Sequence, residues 1–447
     1  MYKTLPSSIT VIGTGYVGLV TALSFVNHTS VKVCCLDTDE NKINSLCKGI
    51  PTIYEPNIES NLSKALADNK INFTSSYEVA SKSQIIFICV GTPTKQDGVP
   101  NLDYFHSALR SLAPHIEENA IIVNKSTLPI GSIQSARTII KESMSAVGIS
   151  KSFHIISNPE FLREGSAFND FIDPDRVVIG TDNFEIASNL VNLYIDAGIS
   201  KSKILLMNPE SAELTKYAAN AFLAMKISFI NEFAYFCDHL NANIKDVAKG
   251  IGADSRIGKD FLNAGLGFGG SCFPKDIDAL IHYSKSLLGY DFELLNQVRE
   301  INKLQVIRSV KKINTYFQKN SNLQKIVSVL GLAFKPNTND VRETQSAYLI
   351  KELQSLGFKI NAFDPIAIED FKKSYNDLDI SFSEAINNSL FESSALIITT
   401  EWEEYTKFDS LMGSNHNIKA IFDLRNALKP EDISKIGIDY FDVGISS

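Results

Sequence analysis

Short β-rich apolar runs at Ile9–Gly13, Val31–Asp37, Gln84–Val90 and Ala120–Asn124 alternate with helix-compatible stretches. Alternation of this kind predicts βαβ units, hence a parallel sheet with helices on both faces. Further strands are predicted at Phe153–Ser157, Arg176–Ile179 and Lys203–Leu206, so residues 1–208 read as one doubly wound α/β domain. From Ser211 to Leu240 the pattern changes to a long helical stretch without proline or glycine. Apolar residues such as Tyr217, Phe222, Met225, Phe229, Phe233 and Phe236 cover more than one of its faces. A helix that is apolar on several sides must be buried on several sides. It predicts a connecting spine whose surplus apolar surface meets a second subunit; burial inside one large domain is the plain alternative. The alternation then resumes at Lys325–Phe334, Lys359–Asp364, Ala395–Thr400 and Ala420–Leu424. The expected architecture is α/β: doubly wound domains at 1–208 and 313–447, joined by a long central helix and a helical dimerisation domain over 209–312.

Composition narrows the function classes. The 447 residues carry 43 Lys and Arg against 51 Asp and Glu, a formal charge of −8 without the basic excess of a nucleic-acid binder. No apolar run approaches the ~20 residues of a membrane span. Met1–Ser8 leads directly into an apolar strand, leaving no room for a signal peptide, so a cytoplasmic protein is expected. The six cysteines form no C-x-x-C pair, and Cys34 and Cys89 fall in apolar runs, which suits a reducing compartment. Seven scattered histidines form no H-x-x-x-H pair, so no metal site is expected.

Gly13-Thr-Gly15-Tyr-Val17-Gly18 follows the first strand and precedes a helical run. The first glycine permits the tight turn, the second lets backbone approach a pyrophosphate, and the third lets helix and strand pack closely. The diphosphate then sits at a helix N-terminus, where free N–H groups and the dipole favour an anion. Asp37 ends the next strand, where an acid accepts from both ribose hydroxyls and repels a 2′-phosphate, favouring NAD over NADP. Lys42 is close enough to soften that preference.

Other segments carry candidate chemistry. In Gly267-Phe-Gly-Gly-Ser-Cys-Phe-Pro-Lys-Asp276, three glycines allow backbone to wrap a ligand, and Pro274 suits the first position of a helix. Cys272 would then precede a helix N-terminus, where the dipole and Lys275 favour its thiolate; a glycine-rich turn with an incidental cysteine is the alternative. In Asn158-Pro-Glu-Phe-Leu-Arg-Glu-Gly165, a helical turn capped by Asn158 and beginning at Pro159 would put Glu160 and Glu164 on one face, unless both acids are merely solvated. Glu213, Lys216 and Asn220 share one stripe of the spine, where Lys216 and Asn220 could hold an oxyanion; an intrahelical Glu213–Lys216 pair is the alternative. Lys125-Ser-Thr127 and Val90-Gly-Thr-Pro93 lie at strand ends, the carboxyl edge where open α/β sheets bind ligands.

Taken together, these motifs resemble the UDP-glucose 6-dehydrogenase family of nucleotide-sugar dehydrogenases. The resemblance runs end to end, through GTGYVGLV at 13–20, VGTPT at 90–94, KST at 125–127 and NPEFLREG at 158–165. It continues through DPDRVVIG at 173–180, KYAAN at 216–220, ADSRIG at 253–258, GFGGSCFPKD at 267–276 and GLAFKPNT at 331–338. It implies two Rossmann-like domains, a homodimer, and four-electron oxidation of UDP-glucose to UDP-glucuronate with two NAD⁺. Thr127 and Asp276 would hold the water that accepts the alcohol proton. Cys272 would capture the aldehyde as a thiohemiacetal that becomes a thioester, Lys216 and Asn220 would stabilise oxyanions, and Glu160 would assist hydrolysis.

By the same resemblance, Gly13, Gly15, Val17, Gly18, Asp37, Lys42, Thr92, Thr127, Glu164, Lys275 and Arg342 would contact NAD. Glu160, Phe161, Leu162, Arg163, Glu164, Lys216, Asn220, Phe261, Leu262, Asn263, Ala264, Gly265 and Gly269 would line the sugar nucleotide. Arg256 and Lys335 would neutralise its diphosphate, and Arg425 would lie on the substrate side. Departures are small: Asn339 stands where many members have aspartate, Thr344 replaces a common serine, and Phe363 replaces a tyrosine. The nearest rivals are a GDP-mannose or UDP-N-acetylhexosamine 6-dehydrogenase, then a two-electron hydroxyacid dehydrogenase that would not need Cys272, and last a catalytically silent nucleotide-binding protein.

Overall fold

The computed structural model describes residues 6–93, 95, 99–386, 390, 392–406, 417–433, 435 and 437–445; Thr94, at the end of the 90–94 motif, lies outside them, as do residues 1–5 of the N-terminal stretch. The chain divides into two compact units, Met1–Ala218 and Ala219–Ser447.

In the first unit, runs rich in Ile and Val become β1 (Ser8–Ile12), β2 (Lys32–Leu36), β3 (Ile71–Thr74), β4 (Ile85–Ile88), β5 (Ala120–Asn124), β6 (Phe153–Ser157), β7 (Val177–Gly180) and β8 (Ile204–Met207). They form one sheet in the order β3-β2-β1-β4-β5-β6-β7-β8. Both faces are covered, which is why β4 and β5 are buried at every position. One apolar cluster includes Leu19, Leu23 and Phe25 of the helix Tyr16–His28; the other includes Phe105, Leu109 and Ile140. The pairing departs from an all-parallel sheet at one place: β6 and β7 meet antiparallel, through the single register Ser157–Gly180. The connection between them is mostly irregular, with only a six-residue helix, Ala167–Ile172, so it supplies no full helical crossover to a parallel neighbour.

The second unit repeats the theme with β9 (Ile326–Leu330), β10 (Lys359–Phe363), β11 (Ile380–Phe382), β12 (Ala395–Ile398), β13 (Ala420–Asp423) and β14 (Asp439–Phe441). These pair in parallel in the order β11-β10-β9-β12-β13-β14. In each unit the strand order reverses beside the first strand, between β1 and β4 and between β9 and β12, and the crevice outside such a switch point is where open sheets take ligands. The echo extends to side chains. Asp37 follows β2 and its carboxylate accepts from Thr14 N–H at 2.8 Å; Asp364 follows β10 and accepts from Leu332 N–H at 2.8 Å.

The spine is a single helix, Pro209–Leu240, of 32 residues, starting two residues before the expected Ser211. Its portion in the second unit leaves a row of aromatics exposed, with Phe222 at 57% and Phe236 at 59%, and the Phe229, Phe233 and Phe236 rings in contact along one side. Among the described residues, no helix is long and apolar enough to cross a membrane, and none of the six cysteines forms a disulfide.

Candidate active site

The fingerprint glycines do three different jobs. Gly13 has φ +96, and a Cβ there would come within 2.7 Å of the Cys89 carbonyl oxygen. A Cβ on Gly18 would overlap the Gly13 carbonyl oxygen, so helix and strand could not pack. Gly15 has open space around it, as a backbone that a pyrophosphate must approach requires. Nearby, Val17 is partly buried and packs against the apolar core of this unit. Burial alone would raise the Asp37 pKa, but N–H groups of Thr14 and Asp39, the Thr14 hydroxyl and the Lys42 charge outweigh it and hold the carboxyl below the usual range. An ionised acid at that strand end, beside an open glycine turn, fits NAD.

At the same edge, the Thr92 hydroxyl donates to the Thr127 carbonyl oxygen at 3.0 Å, tying the ends of β4 and β5 together. The Lys125 ammonium is buried and donates to Asn158 Oδ1 at 3.1 Å and to the Tyr194 hydroxyl at 3.2 Å. Asn158 therefore does not cap a helix. No helical turn begins at Pro159; residues 158–163 are irregular and the helix starts at Ala167, so the expectation that Glu160 and Glu164 share a helical face is wrong. The reason is that the Asn158 side-chain oxygen, the atom a cap would use, already accepts from Lys125 and the Tyr194 hydroxyl, while its amide nitrogen donates to the Val178 carbonyl at 2.8 Å.

The side chains of this segment have separate anchors. Glu160 is buried, with one oxygen 3.0 Å from the Lys216 ammonium and the other accepting from Leu162 N–H at 2.7 Å. Burial pushes its pKa up, yet the Lys216 charge and hydrogen bond, the Leu162 amide and the Lys125 charge hold it below the ordinary value. Phe161 stacks under two cations, the Arg176 guanidinium at 3.7 Å and the Lys216 ammonium at 5.2 Å from its centroid. Arg163 is exposed and forks onto Asp170, while Glu164 sits half-buried in the following turn.

Glu213 does not follow the intrahelical alternative of pairing with Lys216. Its carboxylate accepts from Gly131 N–H at 2.6 Å, just ahead of the helix Ser132–Ala146, and its other oxygen is buried without a hydrogen-bond partner among the described residues. Burial raises its pKa to about 7, against the Gly131 and Ile133 amides that favour the charge and with Glu210 adding repulsion. A carboxyl whose folded pKa lies above its unfolded value adds stability below the unfolded value, and that contribution is lost as pH rises through the folded one. We expect the melting temperature of the wild type to fall relative to Glu213→Gln between pH 4.5 and about 7, by roughly 2–4 °C, in parallel thermal melts.

In the second unit, Cys272 takes the position just before the helix Phe273–Leu288, half-buried, with its Sγ 3.6 Å from the Ser271 hydroxyl. Pro274 is the second helical residue rather than the first, where it still lacks only an N–H that has no intrahelical partner. One turn on, Asp276 is buried and accepts from Asn220 Nδ2 and from Lys275 Nζ, both at 2.6 Å. Asn220 and Asp276, assigned separately from sequence, are thus direct partners.

The glycine-rich approach to Cys272 is fixed by buried amides that the sequence reading missed. Asn231 accepts from Gly265 N–H at 2.8 Å and Gln305 donates to the Gly265 carbonyl at 2.9 Å. Asn302 accepts from Phe268 N–H at 2.8 Å and donates to its carbonyl at 2.9 Å. The available signal was polar residues on an otherwise apolar face of the helix Glu293–Lys319. A Cβ on Gly269 would overlap the Glu343 carbonyl oxygen, and one on Gly265 would reach within 2.9 Å of the Leu424 carbonyl. Ahead of these glycines, Phe261 adopts φ 64, Leu262 and Ala264 are buried, and Asn263 is exposed.

Arg256, Arg342 and Arg425 are each engaged by an acid. Arg425 lies between the Glu401 carboxylate, at 2.5 and 3.0 Å, and the Gly267 carbonyl at 3.4 Å. Arg256 forks onto Asp254 and Arg342 onto Asp340, with their side chains 87% and 63% exposed. Lys335 lies over the Phe334 ring at 5.4 Å.

Two switch-point sheets, an NAD-compatible fingerprint and a half-buried cysteine just ahead of a helix are the features of a dinucleotide-binding oxidoreductase class. Residues 7–197 match the NAD binding domain of the UDP-glucose/GDP-mannose dehydrogenase family, 210–304 its central domain and 328–430 its UDP binding domain. The chain belongs to the UDP-glucose/GDP-mannose dehydrogenase family. It is 40% identical over 441 residues to a UDP-glucose 6-dehydrogenase of Rickettsia bellii (strain RML369-C), covering 98% of this chain and 99% of that protein. It is also 40% identical over 439 residues to the UDP-glucose 6-dehydrogenase TuaD of Bacillus subtilis (strain 168), covering 98% and 93%. Among solved structures, a UDP-glucose dehydrogenase from Pyrobaculum islandicum superposes with a TM-score of 0.87 at 34% identity, over 100% of this chain and 99% of that one.

Proposed function

We infer that the protein is an NAD-dependent UDP-glucose 6-dehydrogenase, converting the C6 alcohol of UDP-glucose to the carboxylate of UDP-glucuronate with two NAD⁺ per sugar. The observation that carries this reading is 40% identity along 98% of the chain to UDP-glucose 6-dehydrogenases. Bound NAD⁺ supplies the hydride acceptor for each of the two oxidations.

The chain's own residues then have these roles. Thr127 and Asp276 orient a water that takes the C6 hydroxyl proton as the alcohol becomes an aldehyde. The Cys272 sulfur bonds to the aldehyde carbon, and the former carbonyl oxygen takes up a proton, giving a thiohemiacetal. Loss of a second hydride from C6 and of the hydroxyl proton leaves a thioester. Water then adds to the thioester carbon, the thiolate leaves, and the carboxylate forms. A thiolate suits both ends of this sequence because it adds readily to an aldehyde and leaves readily from an acyl group. Lys216 and Asn220 stabilise the oxyanions, and Glu160, kept ionised by Lys216, orients the hydrolytic water. Arg256, Lys335 and Arg425 serve the sugar nucleotide, the first two at its diphosphate. Residues 1–208, 209–312 and 313–447 divide the work into cofactor binding, central helices and nucleotide-sugar binding.

Initial rates with UDP-glucose, GDP-mannose and UDP-N-acetylglucosamine at equal concentration test the substrate. Dominance of UDP-glucose by at least about 100-fold in kcat/KM is expected; a faster GDP or N-acetyl donor would replace this reading with a sister enzyme.

We also propose a homodimer in the cytoplasm, assembled through the exposed aromatic row of the spine, where the Phe229, Phe233 and Phe236 rings touch one another in solvent reach. Phe233→Glu/Phe236→Glu is expected to halve the mass seen by light scattering on a sizing column. An unchanged mass would place the dimer contact elsewhere.

A further inference from the structure

Glu55 received no role from sequence, yet its carboxylate is among the most heavily used in the first unit. It lies in Tyr54-Glu55-Pro56, ahead of the helix Ile58–Ala67, and is 3% exposed. One oxygen accepts from the Tyr16 hydroxyl and from Gly165 N–H at 2.6 Å; the other accepts from Ala167 N–H at 2.8 Å. Ala167 is the first residue of the helix Ala167–Ile172, so the carboxylate also meets the positive end of that helix. Its donors come from two places far apart in sequence. Tyr16 begins the fingerprint helix between Gly15 and Val17, and residues 165–167 close the irregular 160–165 segment.

That segment has no helix or strand of its own to shape it, so its path is set by side chains. Asp170 grips Arg163 through its N–H at 2.8 Å and its guanidinium, and the Tyr16 hydroxyl also reaches the Arg163 carbonyl at 3.4 Å. Glu55 is the group common to the segment and the fingerprint. A carboxylate suits the task because three donors converge on it, and bonds to an ionised acceptor are the stronger kind. Burial and the adjacent Glu55 charge push the Tyr16 pKa upward, so the phenol stays a donor.

We propose that Glu55 is a positioning residue, which holds the fingerprint helix and the 160–165 segment in one arrangement through Tyr16 and the Gly165 and Ala167 amides, so that NAD and the sugar nucleotide are bound together. This rests on the assignment of those two stretches to cofactor and sugar nucleotide. The test uses the full-length protein and the variants Glu55→Ala and Glu55→Gln. NADH affinity is read by fluorescence titration without sugar, and KM and kcat are read with UDP-glucose.

Glu55→Ala is expected to raise both the NADH Kd and the UDP-glucose KM about tenfold, with kcat within about threefold. Glu55→Gln keeps acceptor capacity for part of the set and is expected to raise both about threefold. A folded Glu55→Ala protein with either constant unchanged, or with only kcat or the melting temperature lowered, would overturn the proposal. Should Glu55→Ala not fold, Glu55→Gln decides by the same criterion. Failure of the substrate assignment shows separately, as a wild type that binds NADH but does not turn over UDP-glucose.

Discussion

Cys272→Ser is expected to slow formation of UDP-glucuronate at least about a thousandfold while leaving NADH binding and melting temperature close to wild type. Serine fits the half-buried place of the thiol ahead of the helix Phe273–Leu288, beside the Ser271 hydroxyl. It therefore changes chemistry more than packing. An alcohol at that position is scarcely ionised near neutral pH, so it adds to the aldehyde far more slowly. The ester it would form also expels a poor alkoxide on hydrolysis, where a thioester expels a stable thiolate. Product measured by chromatography, alongside NADH titration and a thermal melt, checks the prediction. Retention of turnover would mean a two-electron dehydrogenase in which Cys272 is incidental.

The second large effect is expected at the buried Lys216–Glu160 pair. Both side chains are more than nine-tenths buried, at 3.0 Å. Lys216→Met would strand an unpaired carboxylate and cost about 3–5 kcal/mol of stability at neutral pH. It would also lower kcat by about 10²–10³ through loss of an oxyanion partner. The sign of the pH dependence should reverse. In the wild type the folded Glu160 pKa lies below its ordinary 4.5, so the pair's stability is present above that pH and is lost as pH falls through the folded value. In Lys216→Met, burial without the cation raises the Glu160 pKa above its unfolded value, so that variant gains stability as pH falls. Denaturant melts at several pH values read this directly. Glu160→Gln/Lys216→Met should recover most of the stability and none of the turnover, which separates the structural cost from the catalytic one.

Most strands legible in sequence lie inside their sheets and are largely buried; β8, at an edge and partly exposed, was legible from its apolar run. β5 and β6 coincide with their predicted spans, β2, β4, β9, β10, β12 and β13 fall within the expected runs, and β1, β7 and β8 are offset from theirs by one residue. The missed strands β3, β11 and β14 are all at sheet edges, short, and include exposed residues such as Asn72 and Ser381. Their pairing comes from a neighbour's backbone, not from a local apolar signal. The site shows the same division. Glycines with steric duties and the helix-end Cys272 left local marks, so Gly13, Gly18 and Gly269 were readable. The Asn158 turn misled because Asn-Pro is a common start of a helix, whereas its amide is consumed by Lys125, Tyr194 and Val178 from remote parts of the chain. Glu55 and Asn302 were missed because each acts on backbone more than 30 residues away along the chain. Spacing carries no record of such contacts.

The central claim is a four-electron oxidation of UDP-glucose through a thiol. It is tested most directly by the ratio of NADH formed to UDP-glucose consumed when sugar is limiting and NAD⁺ is in excess. Two NADH per UDP-glucose, with UDP-glucuronate as the product, is the predicted result. One NADH per sugar with an accumulating aldehyde, or no NADH from UDP-glucose at all, would contradict it.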